Sequence, residues 1–457
     1  MFFFHAFLEK GKPMDKKEIQ EKIKEFEIDT IRIDFPDMHG VNRGKIAPAH
    51  RLDELLEEGI NCAKPTFSLD LSYNIPPGTG TAEEVDYEDM TIIPDPDTFT
   101  IVPYQPHTAR FIGDIYAGDK PFPFAPRWLL KNVLKKYEER NLSPVAATEL
   151  EFYAFLKDGA DYSYYCDKPS NVYTTGPRVD SQDFLRPLMN ILLQMGIDVL
   201  YINHEFFQGQ YEINWRHTTA LKMADQAFTF KAVCKEYGFM NDLHITFMGR
   251  PKNEMGGSGS HLHFSIVDPE TGKSLFYDPD GKEQMSDLMR HCIAGQMAHA
   301  RGMTLLMAPT INSYKRYVPN AFAPYYIAWG LDNRTTYIRI PRERKGGTRI
   351  ENRAPCATAN SYLTLAASLI ASLDGIENKM DPGDYYEGDV YAEEPGKFEL
   401  MPLYMRDAIE ALENDTILCE GIGPAIVQNL LALKKAEEER YRTTVTDWEF
   451  NEYFYHL

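Results

Sequence analysis

Two periodicities divide the chain. Residues 15–26 carry a charged pattern at helical spacing, and Thr30 to Phe35 alternate apolar and polar as a half-buried strand does. From about residue 75 to 125, Pro, Asp, Thr and Gly are frequent, a strand-and-turn composition with few helix signals. Pro126 then opens a helix to about Arg140, with Leu129, Leu130, Val133, Leu134 and Tyr137 on one stripe. Helical spacing recurs near 181–195, 218–238, 286–308, 361–380, 403–415 and 423–442, with short strands between. The pattern predicts an extension over 1–14, a small β-rich domain over 15–108 and an α+β domain over 109–457.

The strands are the informative elements, because residues i and i+2 share a face. Glu149 and Glu151 share one face of Thr148–Phe152, and His261 and His263 share one face of Ser260–Phe264. Gln210, Glu212 and Asn214 fall together, as do Arg349, Glu351 and Arg353, while Arg339 points away from Ile338 and Ile340. For one strand alone, a wet sheet face explains such alternation. Taken together these faces carry Glu, His and Arg with no Lys, which ordinary solvated faces favour. A curved sheet collecting Glu149, Glu151, Glu205, Glu212 and Glu351 needs cations, because close carboxylates cannot all stay ionised unaided. Mostly carboxylate oxygen with an imidazole suits Mg²⁺ or Mn²⁺, two or more per site, better than structural zinc.

Arg316, Arg334, Arg339, Arg349 and Arg353 fall within 38 residues. Guanidinium groups facing carboxylate-held metals form the layout of phosphoryl transfer from a nucleotide. Neither a P-loop nor a Rossmann fingerprint is present. The run Gly256-Gly257-Ser258-Gly259 is a small-residue approach to the His-bearing strand.

Composition narrows the partners. Lys and Arg number 48 against 68 Asp and Glu, a net charge of −20 that repels nucleic acid and anionic lipid. No apolar run approaches the ~18–20 residues of a membrane span, and Leu363 to Leu373, interrupted by Thr and Ser, reads as a buried helix. The Phe2-Phe3-Phe4 start lacks the basic region of a signal peptide and reads as an apolar peg. Six scattered cysteines without a C-x-x-C read as reduced thiols in a cytoplasmic protein.

The ordered segments A-T-E-L-E-F-Y (147–153), H-E-F-F-Q-G-Q-Y-E-I (204–213), G-S-G-S-H-L-H-F-S (257–265), N-S-Y-K-R-Y-V-P (312–319), N-R-T-T-Y-I-R-I-P (333–341) and R-I-E-N-R (349–353) resemble the glutamine synthetase family across nearly the whole chain. V-N-R-G-K-I-A-P (41–48) looks like that family's small β-grasp domain. The resemblance implies a β-grasp domain beside a catalytic domain built on a curved antiparallel sheet flanked by helices. It implies that Glu151, Glu205 and Glu212 hold one metal and that Glu149, His261 and Glu351 hold a second. It places Trp215, Arg216, His217, His263 and Ser265 around ATP, Gly257, Arg316 and Arg353 around L-glutamate, and Arg334 and Arg339 at the nucleotide phosphates. It further implies stacked hexameric rings, as in a homododecamer, with active sites shared between subunits. The family phosphorylates the γ-carboxylate of glutamate with ATP, after which an amine displaces phosphate.

Two departures bear on that amine. Ammonia-using members carry a Glu in the flap, where this chain has Pro319-Asn320-Ala321-Phe322-Ala323-Pro324. They also carry an Asp in the N-terminal domain, where this chain reads Ala63-Lys64-Pro65-Thr66-Phe67-Ser68. Ammonium needs carboxylates to hold it and accept its proton. Phe67 and Phe322 instead offer apolar surface, which predicts an acceptor amine larger than ammonia. The alternatives are an ammonia-using glutamine synthetase and a catalytically silent relative. Tyr391, in a loop near the family's regulatory tyrosine, lacks the surrounding context of a modification site.

Overall fold

The computed structural model describes residues 14–159, 161–166 and 172–457. The expected apolar peg at Phe2-Phe3-Phe4 lies outside the described residues.

The charged N-terminal pattern forms the helix Lys16–Glu25, closed at its start by a reciprocal cap between Asp15 and Glu18. The next strand, Thr30–Pro36, pairs antiparallel with Asn42–Pro48 and parallel with Thr108–Ala117. Asp89–Pro94 and Ile60–Ala63 extend the same sheet. Its core holds Ile31, Ile33, Phe35, Phe67 and Phe111. The expected boundary at residue 108 therefore needs correction. Thr108–Ala117 is an interior strand of the small sheet, and Lys120–Pro121 pairs beyond it. The strand is buried over most of its length, so its composition resembles the larger core and hides its membership.

The second sheet runs in the order Val199–His204, Gln210–Trp215, Ser143–Asp158, Ser260–Val267, Ile350–Asn352, Ile338–Ile340 and Trp329–Leu331. All neighbours are antiparallel except the last pair. Its apolar face, including Leu150, Phe152, Ile213, Leu262 and Phe264, joins one core with the helices Pro126–Glu138, Ala220–Met240, Asp287–Ala298 and Ser361–Glu377. The last of these is the predicted buried helix, and Leu363 to Leu373 are all buried within it. The helical pattern over 286–308 resolves into two helices that meet at His299. The short helices Leu52–Glu57 and Thr416–Ile422 carried too few turns to be read from periodicity. Among the described residues no single helix is long and apolar enough to cross a membrane.

Ionic clamps join the two sheets. Arg127 lies 2.6–2.9 Å from Asp95 and Asp114 of the small unit and from Asp225 of Ala220–Met240. Arg32 makes a bidentate pair with Glu236 at 2.6 and 2.7 Å. Asn360 caps the buried helix and donates from Nδ2 to the Asp37 carbonyl, tying a turn of the small unit to the catalytic core.

Candidate active site

Strand register assembles the polar face. Glu212 stands directly across from Glu151, Asn214 from Glu149, and Glu149 in turn from His261. His263 stands across from Glu351, and Glu351 from Arg339. Because the alternation has period two, each pair projects from the same side, opposite the apolar core. Directly opposed carboxylates such as Glu151 and Glu212 are destabilising in a sheet, so this register works against stability to concentrate charge.

The charge divides into two zones. Glu149 lies 3.1 Å from His261 Nδ1 and 3.0 Å from His263 Nε2. Glu351 accepts from Arg353 Nη1 at 2.5 Å and pairs with Arg339. Burial works against ionisation of both, but the neighbouring imidazole and guanidinium groups win. His263 and His261 hold Glu149 well below the usual carboxylate range, and His263, Arg353 and His261 hold Glu351 at about 2. In the other zone burial pushes Glu151 up to about 7, aided by Glu205. Burial and the charges of Glu149, Glu151 and Glu205 drive Glu212 well above its ordinary value, and burial with Glu149 raises Glu205. Burial and the charge of Arg353 lower His261 against the opposing pull of Glu149 and Glu351.

This donor set fits divalent cations. Ligand atoms of Glu149, Glu212 and His261 lie within 4.8 Å of one another, as do those of Glu149, His263 and Glu351. These close groups bring together Glu149, Glu212, His261 and Glu351 of the expected ligands and add His263. His263, expected beside the nucleotide, joins a metal-type cluster because register sets it opposite Glu351. Glu205, in the turn after Val199–His204, and Glu151 lie outside both close clusters. Gln210 Nε2 and the Gly259 N–H each donate to Glu151 Oε2 at 2.9 Å. The glycine run makes room for this packing. A Cβ at Gly257 would stand 2.6 Å from Arg316 Cγ, and one at Gly259 would stand 3.2 Å from Glu151 Oε1. Arg316 is buried and donates to the Ala354 carbonyl at 3.1 Å, while its Nε has no partner among the described residues.

On the adjoining edge a cavity of about 430 Å³ is lined by Trp215, Arg216, His217, His263 and Ser265, the five residues expected around ATP. Trp215 is a wall, its ring packed 5.1 Å from that of Phe230. Arg216 Nε pairs with Asp198 at 2.6 Å, and burial with the charges of Arg216 and Arg349 lowers His217. Arg349 also lines the cavity and donates from Nε to His263 Nδ1 at 3.2 Å. Its alternation with Glu351 and Arg353 was the available signal for including it in the site. Arg339 donates to Asp332 at 2.6 Å, whereas Arg334 is exposed and its charge acts on Glu205.

Two aromatic expectations part company here. Phe67 is fully buried, stacked on Phe35 at 5.9 Å and edge-on to Phe122 at 5.4 Å. It is core of the small unit and cannot line an amine site, because no face of the ring reaches solvent. Phe322 is 56% exposed, adopts φ +57°, and stacks on Phe206 with centroids 5.5 Å apart and planes 19° from parallel. Phe206 directly follows Glu205 and is itself 52% exposed. Periodicity carries no signal for it, since it lies in a turn.

Comparison with known proteins agrees with this geometry. Residues 123–453 match the family model described as glutamine synthetase, catalytic domain. The glutamine synthetase of Halobacterium salinarum is 32% identical over 96% of this chain and 96% of its own length. That of Pyrococcus furiosus is 35% identical over 93% of this chain and 96% of its own. A solved structure described as "Apo GmaS without ligand" superposes with a TM-score of 0.85 at 32% identity, covering 97% of this chain and all of the other. A second, described as a GmaS/ADP complex, gives 0.86 at 32% identity over 95% and 99% of the two chains. With the catalytic model, full-length relatives and the carboxylate–imidazole sheet in agreement, the chain belongs to the glutamine synthetase family of ATP- and metal-dependent ligases.

Proposed function

We propose that this protein joins the γ-carboxylate of L-glutamate to an amine larger than ammonia, using ATP. The observation that carries the proposal is the flap. Val318 to Pro324 contains no acidic residue, and its Phe322 forms a half-exposed aromatic wall with Phe206. Identity does not choose the acceptor, because curated glutamine synthetases and the GmaS structures match at similar levels. The flap's apolar surface is what supports the larger amine. Ammonium gains little from apolar surface, whereas an alkyl substituent gains about 25 cal/mol for each Å² withdrawn from water.

Glu149, Glu151, Glu205, Glu212, His261, His263 and Glu351 would hold Mg²⁺ or Mn²⁺, two or more per site. When bound, the ions supply charge neutralisation for the phosphates and the γ-carboxylate. Arg316 and Arg353 orient glutamate, with Gly257 leaving the space Arg316 needs. Arg339, held by Asp332, presents a fixed positive charge toward the transferring phosphoryl group, and Arg334 faces the same region. Trp215, His217, Ser265 and Arg349 line the nucleotide cavity. With no flap carboxylate, proton loss from the incoming ammonium form falls to another acceptor, so the rate climbs as the neutral amine fraction grows.

The reading is tested by kcat/KM for ammonium beside alkyl-, hydroxyalkyl-, aryl- and polyamines, with glutamate and ATP, scored by phosphate release. Ammonium as the best acceptor overturns the larger-amine reading. No phosphate release with any amine in the panel supports a silent relative instead. An assembly with shared sites is part of the same proposal. Its support is the exposed C-terminal aromatic group of Trp448, Phe450, Phe454 and Tyr455. An active monomer in light scattering would exclude shared sites.

A further inference from the structure

The segment from Tyr386 to Met401 is laced along residues 325–335, which directly follow the flap. The Tyr386 N–H donates to the Trp329 carbonyl at 2.8 Å, and Asn333 Nδ2 donates to the Gly388 carbonyl at 2.8 Å. The Val390 N–H donates to Thr335 Oγ1 at 3.1 Å, and Glu399–Leu400 pairs with Tyr326–Ile327. At the centre of this lacing, Asp389 accepts from the Tyr391 N–H at 3.0 Å, and Tyr391 Oη donates to the Ala323 carbonyl at 2.8 Å. The preceding carbonyl, that of Phe322, accepts from Arg353 Nη2 at 3.2 Å. Two successive flap carbonyls are thus held by separate partners, one by a glutamate-site arginine and one by Tyr391. The phenol is half-buried, and burial pushes it up to about 12 against the charges of Arg353 and Arg316, so it stays a donor at neutral pH.

We infer that Tyr391 is a positioning residue for the acceptor amine: by holding the Ala323 carbonyl it fixes the left-handed turn that lays Phe322 against Phe206. This rests on the reading of that aromatic pair as the amine wall. Tyr391 touches none of the reacting groups, and it acts only through the flap backbone. Loss of the hydroxyl leaves the Phe322 carbonyl bond to Arg353, so the flap remains attached but is free to swing about one anchor. The amine, which meets the flap last, is the substrate that senses this freedom.

The test is Tyr391→Phe in the full-length enzyme, which removes one oxygen and keeps the ring. Steady-state kinetics are measured with the preferred amine, with ammonium and with varied ATP, together with thermal melting. A single hydrogen bond's worth of positioning predicts a KM for the amine raised about three- to ten-fold, with kcat and the KM for ATP unchanged. A purely structural role predicts a lower melting temperature and a uniform fall in kcat with no selective change in amine KM; that result overturns the inference, as does an unchanged amine KM. The two readings fail separately. If ammonium is the best wild-type acceptor, the larger-amine reading falls, yet a selective rise in KM for ammonium still supports the role of Tyr391. If alkylamines are preferred and the variant leaves their KM unmoved, the role of Tyr391 falls alone.

Discussion

Truncating Phe322 to alanine isolates the apolar contribution to acceptor choice. Alanine tolerates the positive φ of this position no worse than phenylalanine, so backbone strain is not altered. The rings of Phe322 and Phe206 are 56% and 52% exposed, so each supplies close to half of the wall. A methylene fully withdrawn from water contributes about 0.8 kcal/mol, which is about four-fold in kcat/KM for each carbon added to a linear amine. From methylamine to butylamine, three carbons give about 60-fold in the wild type. Removing one of two equal surfaces halves the increment to about 0.4 kcal/mol per methylene, or about eight-fold over the same series. The assay is phosphate release with saturating ATP and glutamate across the four homologues, plotted as log kcat/KM against carbon number. Equal slopes for wild type and Phe322→Ala would refute the wall, whatever the absolute rates.

Three further outcomes follow from the same geometry. Glu151→Ala or Glu351→Ala should abolish glutamate-dependent ATP hydrolysis, as should excess chelator; activity surviving any of these excludes the metal reading. Arg127→Leu should cost about 3 kcal/mol in chemical denaturation, because it strands Asp95, Asp114 and Asp225 around a missing charge, with Lys131 still pairing the first two. His299 lies 3.0 Å from Asp374 and 2.7 Å from Asp415, and although burial opposes its charge these bonds raise its pKa. A raised histidine contributes stability that is complete below its unfolded value near 6.5 and is lost as pH rises through its folded value. Wild type should therefore lose stability relative to His299→Gln as pH rises above the unfolded value near 6.5 in paired denaturation curves.

The C-terminal aromatic group shows how far packing within one chain goes. Phe450 and Phe454 stack with centroids 4.5 Å apart, yet Trp448, Phe450, Phe454 and Tyr455 all stay more than half exposed. Among the described residues their mutual contacts do not remove them from water, which is why the proposed assembly draws on them. Light scattering that gives a monomer bearing these rings would show that they tolerate solvent.

The polar face of the catalytic sheet was legible in the sequence because strand alternation is local. Glu149 with Glu151, and His261 with His263, share a face by covalent geometry alone, and Leu363 to Leu373 are apolar enough to demand burial. The same locality kept other features out of reach. Which carboxylate stands opposite which imidazole depends on register between strands about 90 to 110 residues apart, and that register sets His263 in a metal-type cluster as well as at the nucleotide edge. Thr108–Ala117 joined the small sheet through a parallel pairing that leaves no mark in the strand itself. Phe67 and Phe322 are the same residue type in similarly loop-like surroundings, and only packing separates them. One ring fills the small core between Phe35 and Phe122, while the other meets Phe206 from a distant turn. Composition and period determine what a segment wants to bury. Which partner buries it is a long-range choice, made when the whole chain closes around its cores.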